Sequence, residues 1–461
     1  MIHWVTGRSD EVVARLPEGS IDLFITSPAF YRLRSYLPSD HPDKEHEIGQ
    51  EPTPGDFIDT LLRHVAEWRR ALAPHGSIVI EIGDTSAGSG GAGGDYNADG
   101  LRDGQPKFTG TARSAAESKK GVDPKNRGNT SLGTARLTEG FPMEKSLCLI
   151  PDALAIALAY GFNPLNGNES PAGRWRVRNE VVWARTNPVV GNDGDKFRRA
   201  HSKVIVATLA KDRYWDIEEL RTTPAYGITD EDGRSLTRPY EAPGQPERQT
   251  RVANEQGQRI NSNPGGAPPP LDWTNALASL IDAMPGARGI DVVRAARDSG
   301  IVDEGDVWDV PTTGYSGAHY AVFTPNLVRR PIVAMTPKRV CLGCGKPSRR
   351  IVKREQVSTG RTTNGPKNDG RKDETPAYDN RTAVASETVG WTECGCDEGW
   401  RPGRVCDPFG GSGTTGMVAS AHGFDAILID LDDRNEDLAR ERLGFMMTTT
   451  SIEDLVVELK G

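Results

Sequence analysis

The feature that most constrains this chain lies near its C-terminal end: Val405-Cys406-Asp407-Pro408-Phe409-Gly410-Gly411-Ser412-Gly413-Thr414-Thr415-Gly416. A short apolar strand runs into a turn too rich in glycine to be anything but tight, and the turn opens a helix. Gly411 and Gly413 let the backbone approach a ligand with no Cβ in the way. Ser412, Thr414 and Thr415 offer hydroxyls and first-turn amide donors. Asp407, at the strand's end, can accept hydrogen bonds from a cationic amine. Residues 426–430 then give a second strand that ends in the carboxylate of Asp430. Adjacent strand ends of an α/β sheet hold a ribose in this way. No Gly-Lys-Ser or Gly-Lys-Thr follows the glycines, which argues against a phosphate-cradling loop.

A second anchor stands near the other end of the chain. Residues 11–16 suit a short helix, 17–20 a turn and 21–25 a buried strand. That strand breaks at Thr26-Ser27-Pro28-Ala29-Phe30-Tyr31. Pro28 fixes its own φ and has no N–H, so the backbone leaves the sheet stiffly. Ser27 and Phe30 then stand just past a strand's C-terminal end, where open α/β sheets place their ligands. Residues 53–72 carry apolar side chains at Phe57, Leu61, Leu62, Val65, Trp68 and Leu72, an amphipathic helix, and 77–82 form the next buried strand. Strand, helix and strand of these lengths make a βαβ unit with a parallel sheet. Further on, 147–160 reads as a helix and 177–186 and 203–209 as two strands. Residues 86–140 have little core-forming capacity and read as a long mobile loop; 212–316 are irregular and proline-rich.

The net charge of −8 argues on its face against a nucleic-acid partner. Local charge argues the other way. Arg174, Arg176, Arg178, Arg185, Lys196, Arg198, Arg199 and Lys203 crowd one segment, and 346–381 is also basic. Phosphate contacts need a basic strip, not a basic protein. Solvated faces would account for the same charges.

Six cysteines in 461 residues do not make a disulfide framework, but four of them cluster. Cys341-Leu342-Gly343-Cys344-Gly345 is a knuckle that aims two sulfurs at one point, and Cys394-Gly395-Cys396 is a tighter second half. Four thiolates suit a closed, structural, tetrahedral zinc site; four free thiols are the bland alternative. Cys148 and Cys406 read as small buried hydrophobes. No apolar run reaches the length of a membrane span and no signal-peptide pattern opens the chain, so a cytoplasmic protein is expected.

The glycine-rich run resembles the S-adenosylmethionine loop of the DNA amino-methyltransferases, where Asp-Pro-Phe-x-Gly-Ser-Gly-Thr-Thr recurs, and every defined position is filled. Ser27-Pro28-Ala29-Phe30 resembles the family's target-base signature, Ser/Asp/Asn-Pro-Pro-Tyr/Phe. Ser27, Pro28 and Phe30 match it, while Ala29 replaces the second proline. The resemblance implies S-adenosylmethionine held by Asp407, Phe409, Gly411, Ser412, Gly413, Thr414 and Asp430. It also implies a flipped base met by Ser27, the Pro28 carbonyl and Phe30, in double-stranded DNA. With Ser in the first position, family usage leans to the N4 amine of cytosine, with adenine N6 second. A catalytically silent DNA-binding relative and an RNA methyltransferase on the same fold are the rival readings. A cognate restriction endonuclease and a homodimer remain open as partners.

The fold implied is a Rossmann-like α/β methyltransferase sheet with helices on both faces. Its motif order is circularly permuted, the beta type, with loop-rich inserts and a small zinc-binding insert. The expected layout is a catalytic half at 1–210, interrupted at 86–140, and a target-recognition region at 211–316. A cofactor-closing segment at 317–337 with Phe323 and Pro325 follows, then the zinc insert at 338–402 and the cofactor half at 403–461. Methyl transfer needs donor carbon and acceptor nitrogen about 3–3.5 Å apart and in line. The first strand of the chain, at 21–25, must therefore lie beside the strand at 405–407, with both loops on one edge of the sheet.

Overall fold

A computed structural model describes residues 1–33, 36–37, 40–87, 140–185, 196–197, 199–222, 251–253, 259–261, 305–310, 324–358 and 382–460. The elements in chain order begin with β1 (Ile2–Thr6), α1 (Ser9–Arg15), β2 (Ile21–Thr26), α2 (Pro54–Ala71) and β3 (Leu72–Ile82). They continue with α3 (Ile150–Tyr160), β4 (Arg176–Ala184), β5 (His201–Thr208), α4 (Ile217–Thr222), β6 (Arg251–Ala253), β7 (Arg259–Asn261) and β8 (Val307–Asp309). After these come α5 (Pro325–Met335), β9 (Val340–Cys341), β10 (Arg350–Ser358), β11 (Thr382–Trp391) and β12 (Trp400–Arg401). The last are β13 (Arg404–Asp407), α6 (Thr414–Ala421), β14 (Asp425–Asp430), α7 (Arg434–Leu443), β15 (Met447–Thr449) and α8 (Ile452–Lys460).

One nine-stranded sheet takes the order β15-β1-β14-β13-β2-β3-β5-β4-β8. β5 runs against both neighbours, and every other pairing is parallel. The central strands are near-continuous apolar runs because both faces are covered. All six residues of β2 are buried. On one face α1, α2 and α3 contribute Val12, Leu61, Leu62, Trp68 and Leu154 to a core, and Phe24 of β2 stacks on Trp68 with ring centroids 5.6 Å apart. On the other face α5, α6 and α7 contribute Leu327, Ile332, Val418 and Leu443. Helix α2 starts where its capping box dictates: Thr53 accepts from the Asp56 N–H, and the Asp56 carboxylate accepts from the Thr53 N–H. Such a cap contributes about 1 kcal/mol.

The required adjacency is present. β13 lies between β2 and β14, with Val405 opposite Leu23 and Cys406 opposite Phe24. Both expected loops therefore leave the same edge of the sheet, called the site edge below. One expectation is corrected: the strand before Ser27 is the second of the chain, not the first. Ile2–Thr6 precedes it and pairs with β14 and β15.

The cysteine segment carries strands of its own. Arg350–Ser358 and Thr382–Trp391 form a two-stranded antiparallel ribbon. The ribbon rises from a short β9–β12 pairing, with Trp400 opposite Cys341. This module sits at the edge opposite the site. Asp22, near the start of β2 and fully enclosed, accepts from Arg401 Nη1 at 2.7 Å and from the Arg404 N–H at 2.7 Å. It also pairs with His75 Nε2 at 2.9 Å. Burial pushes the Asp22 carboxyl up, but the His75 bond and the Arg401 charge outweigh it and hold the carboxyl low. Arg350 ties the ribbon to α4 through Asp216 at 2.9 Å and through Glu219.

Of the mobile loop expected at 86–140, residues 88–139 lie outside the described residues, as do Phe323 and most of the expected recognition region at 211–316. Among the described residues no helix is long and apolar enough to cross a membrane.

Candidate active site at one sheet edge

The two loops are joined by a direct bond. Thr26, the last residue of β2, donates its hydroxyl to Asp407 Oδ1 of β13 at 2.6 Å. Asp407 is fully enclosed, so the hydrogen bonds it accepts all come from within the protein. Oδ1 also accepts from the Phe409 N–H at 3.1 Å, and Oδ2 accepts from the Thr415 hydroxyl at 2.6 Å. Burial pushes the Asp407 carboxyl up to about 7 against these bonds. Asp407 is thus the brace that holds the glycine loop, helix α6 and β2 together.

The glycines divide their tasks. Gly411 has φ +51° and its N–H donates to Asp430 Oδ2 at 2.7 Å. Gly413 has φ +77°, and a Cβ there would meet Leu443 at 3.0 Å and Ala439 at 3.2 Å, so its bare backbone is what admits α7. Ser412 and Thr414 are buried, and Arg442 of α7 holds both hydroxyls, at 2.7 and 2.9 Å. Phe409 is half-buried, its ring 5.5 Å from that of His64 and 6.5 Å from that of Trp68. Asp430 is half-buried and accepts from the Gly411 N–H, the Asp432 N–H at 2.9 Å and Asn435 Nδ2 at 3.1 Å. A carboxylate offers about four lone-pair sites, so one acceptor position on Asp430 stays available. Burial raises this carboxyl to about 6, with the three hydrogen bonds opposing.

Just past β2, Ser27 is half-buried and donates to Glu81 Oε2 of β3 at 2.5 Å. Glu81 is buried, and the Arg185 guanidinium stands 3.8 Å from its other oxygen. Burial raises the Glu81 carboxyl; the hydroxyls of Ser202 and Ser27 and the Arg185 charge oppose this only in part. Pro28 is buried and Phe30 half-buried. The Phe30 ring lies against Gly83, where a Cβ would come within 2.5 Å of Phe30 Cε2. Ala29 packs against Gly49, a left-handed glycine whose carbonyl accepts from the Arg32 N–H at 2.7 Å.

Glu81, Gly83 and Arg442 carry no sequence signature. Glu81 sits in an apolar strand run, and only the β2–β3 register, Thr26 opposite Ile80, brings it to Ser27. One signal was legible: a carboxylate inside a buried strand demands a partner.

The basic segment splits between the two edges. Arg176 and Arg178, at the start of β4, bond the carbonyls of Leu209 and Lys211 at the far edge. Arg185, Lys196 and Arg199 stand at the site edge.

A family model described as DNA methylase, of the N6/N4 type, matches residues 21–339. The chain belongs to this family. The match ends just before Cys341, where the cysteine module interrupts the path to the glycine loop. The type II methyltransferase M.Cfr9I of Citrobacter freundii is 26% identical over 217 residues, covering 47% of this chain and 57% of the relative. M.XycI of Xanthomonas campestris pv. cyanopsidis is 28% identical over 218 residues, with coverage of 47% and 57%. M.SfiI of Streptomyces fimbriatus is 23% identical over 215 residues, with coverage of 47% and 38%. The matched part thus spans about half the length of these relatives. Among solved structures, the PvuII DNA methyltransferase (cytosine-N4-specific) aligns at 13% identity with a TM-score of 0.40, covering 100% of this chain and 91% of its own. A putative DNA modification methylase of Thermus thermophilus, solved with S-adenosyl-L-methionine, aligns at 14% identity with a TM-score of 0.38, covering 98% and 100%.

The four thiols of Cys341, Cys344, Cys394 and Cys396 converge, with all sulfurs within 4.8 Å of one another. Cys341 is buried and Cys344 exposed.

Proposed function

We propose that the protein transfers a methyl group from S-adenosylmethionine to an exocyclic amine of a flipped base in double-stranded DNA, with cytosine N4 the favoured acceptor. The observation that carries this is the Thr26–Asp407 bond, which binds the base loop and the cofactor loop into one edge. The cradle suits the cofactor. Asp430 keeps one acceptor for a ribose hydroxyl, Phe409 is half open to an apolar ring face, and the Gly410–Gly413 turn between them is glycine at three of its four positions, with the Ser412 hydroxyl turned to Arg442. S-adenosylmethionine supplies an electrophilic methyl carbon on a sulfonium sulfur.

The remaining work falls to the chain. An exocyclic amine is a poor nucleophile because its lone pair is delocalised into the ring. Ser27 donates its own proton to Glu81, so its lone pairs face outward to accept an amine N–H. The Pro28 carbonyl accepts the second, which makes the nitrogen more tetrahedral. As the nitrogen gains its methyl it becomes cationic and must lose a proton. Ser27 takes that proton and passes its own to Glu81, whose burial-raised carboxyl is suited to hold it. Phe30 stacks on the base and helps return the few kcal/mol that unstacking costs.

The test is tritiated methyl transfer to duplex DNA followed by nucleoside chromatography. N4-methyldeoxycytidine is expected. N6-methyldeoxyadenosine would move the acceptor to adenine, and transfer to RNA alone, or none, would overturn the proposal. A pH prediction accompanies it. The ribose hydroxyl binds ionised Asp430, whose carboxyl titrates near 6. Cofactor affinity is therefore full above that pH and falls roughly tenfold per unit below it. Calorimetric titration of Asp430→Asn should show this slope flattened.

The four-cysteine cluster is proposed as a structural zinc site. Zn–S bonds of about 2.3 Å place tetrahedral sulfurs roughly 3.8 Å apart, within the observed spread. All four positions are filled by protein, so the metal organises the base of the β10–β11 ribbon and takes no part in transfer at the opposite edge. Metal analysis should find one zinc per chain, lost in Cys344→Ser; a purified protein with none would contradict the assignment.

A further inference from the structure

The β4–β5 connection carries a feature that the transfer chemistry does not use. β4 ends and β5 begins at the site edge, with Ala184 opposite His201 and Ile82 of β3 opposite Lys203. On this connection Phe197 is fully exposed, at 100%. Isolated exposed apolar residues are ordinary, but a wholly solvated phenyl ring at the rim of a base pocket is not. Its neighbours hold its stretch of backbone in place. Lys196 Nζ lies 3.3 Å from Ser86 Oγ, Arg199 Nη2 lies 3.0 Å from the same oxygen, and Arg199 also bonds the Asp84 carbonyl. Those acceptors follow directly on Gly83, against which the Phe30 ring packs, and on Glu81, which holds Ser27. The other fully exposed phenylalanine among the described residues, Phe445, precedes β15 at the opposite edge.

An aromatic ring held out between cations, at the mouth of a pocket that must receive an extruded base, has a defined physical use. Extruding a base leaves a gap in the stack, and the duplex recloses unless the gap is filled. Apolar wedges inserted between base steps serve this purpose, and flanking cations meet the phosphates. We propose that Phe197 is the wedge that enters the duplex beside the target base and keeps it extruded, with Lys196 and Arg199 steering the adjacent phosphates. The proposal rests on the methyltransferase reading above and adds to it the residue that opens the duplex. Phe197 is a positioning residue: it touches DNA and not the reacting nitrogen.

The test uses the full chain and an oligonucleotide duplex carrying the site that methylation mapping of genomic DNA supplies. One duplex pairs the target base normally; the other places an abasic site opposite it, so that extrusion no longer breaks a pair. Phe197→Ala should lower kcat/KM on the paired duplex roughly 10- to 100-fold, and return to within about twofold of the unaltered protein on the abasic duplex. Phe197→Trp should retain activity on both, and unchanged thermal melting of each variant excludes a folding defect. Equal loss on the two duplexes, or no loss on either, would overturn the wedge. Absence of transfer by the unaltered protein on both would instead bring down the methyltransferase reading itself.

Discussion

Asp407→Ala is expected to abolish measurable S-adenosylmethionine binding, while Ser27→Ala leaves cofactor affinity within about twofold and slows transfer. The asymmetry follows from placement. Asp407 makes three hydrogen bonds that tie the glycine turn to α6 and to β2, and nothing else in the loop replaces them. Removing it leaves the Thr26 and Thr415 hydroxyls and the Phe409 N–H without their acceptor in a buried place. Each such orphan costs about 1–3 kcal/mol, and the loop opens before the sheet does. Ser27 stands outside this brace and bonds Glu81. Its loss removes an acceptor for the amine and nothing that shapes the cofactor cradle. Equilibrium binding beside single-turnover transfer separates the two; equal loss of cofactor affinity in both variants would contradict the division.

The second large effect is expected at Glu81. Glu81→Gln keeps the shape but cannot take up the proton that Ser27 relays. Single-turnover transfer should fall about 10²- to 10⁴-fold with cofactor affinity unchanged. Burial already disfavours the ionised carboxylate, so the neutral amide should not lower the thermal midpoint. A variant as active as the unaltered protein would show that the proton leaves by another route. Glu81→Asp, shorter by one methylene, should restore part of the rate if proton uptake is the role and none if Glu81 only fills space.

Much of this architecture was legible because local signals agreed. The buried run of β2, the apolar stripe of α2 and the buried run of β3 all point to one βαβ unit, and the structure holds it. Methyl-transfer geometry demands one shared edge for the two loops, and the β2–β13 pairing provides it. The misses have a common cause. Strand β1 is five residues long and is interrupted by His3, which pairs with Thr450 and Glu458 at the far side of the sheet. Glu81 and Arg442 reach the site through register and helix packing, contacts that no local pattern encodes. The basic segment looked like one strip, yet alternate ends of β4 send its charges to opposite edges. At Gly413 the missing Cβ also makes room for α7, a packing role that no local pattern encodes.

The most direct test of the shared pocket is a crystal structure of the protein with S-adenosylhomocysteine. The ligand should lie along the Gly410–Gly413 turn, with its sulfur roughly 5–7 Å from Ser27 Oγ, the span of one methyl group, one nitrogen and one hydrogen bond. A cofactor seated on another edge, or a sulfur more than about 10 Å from Ser27 Oγ, would contradict a single site for donor and base.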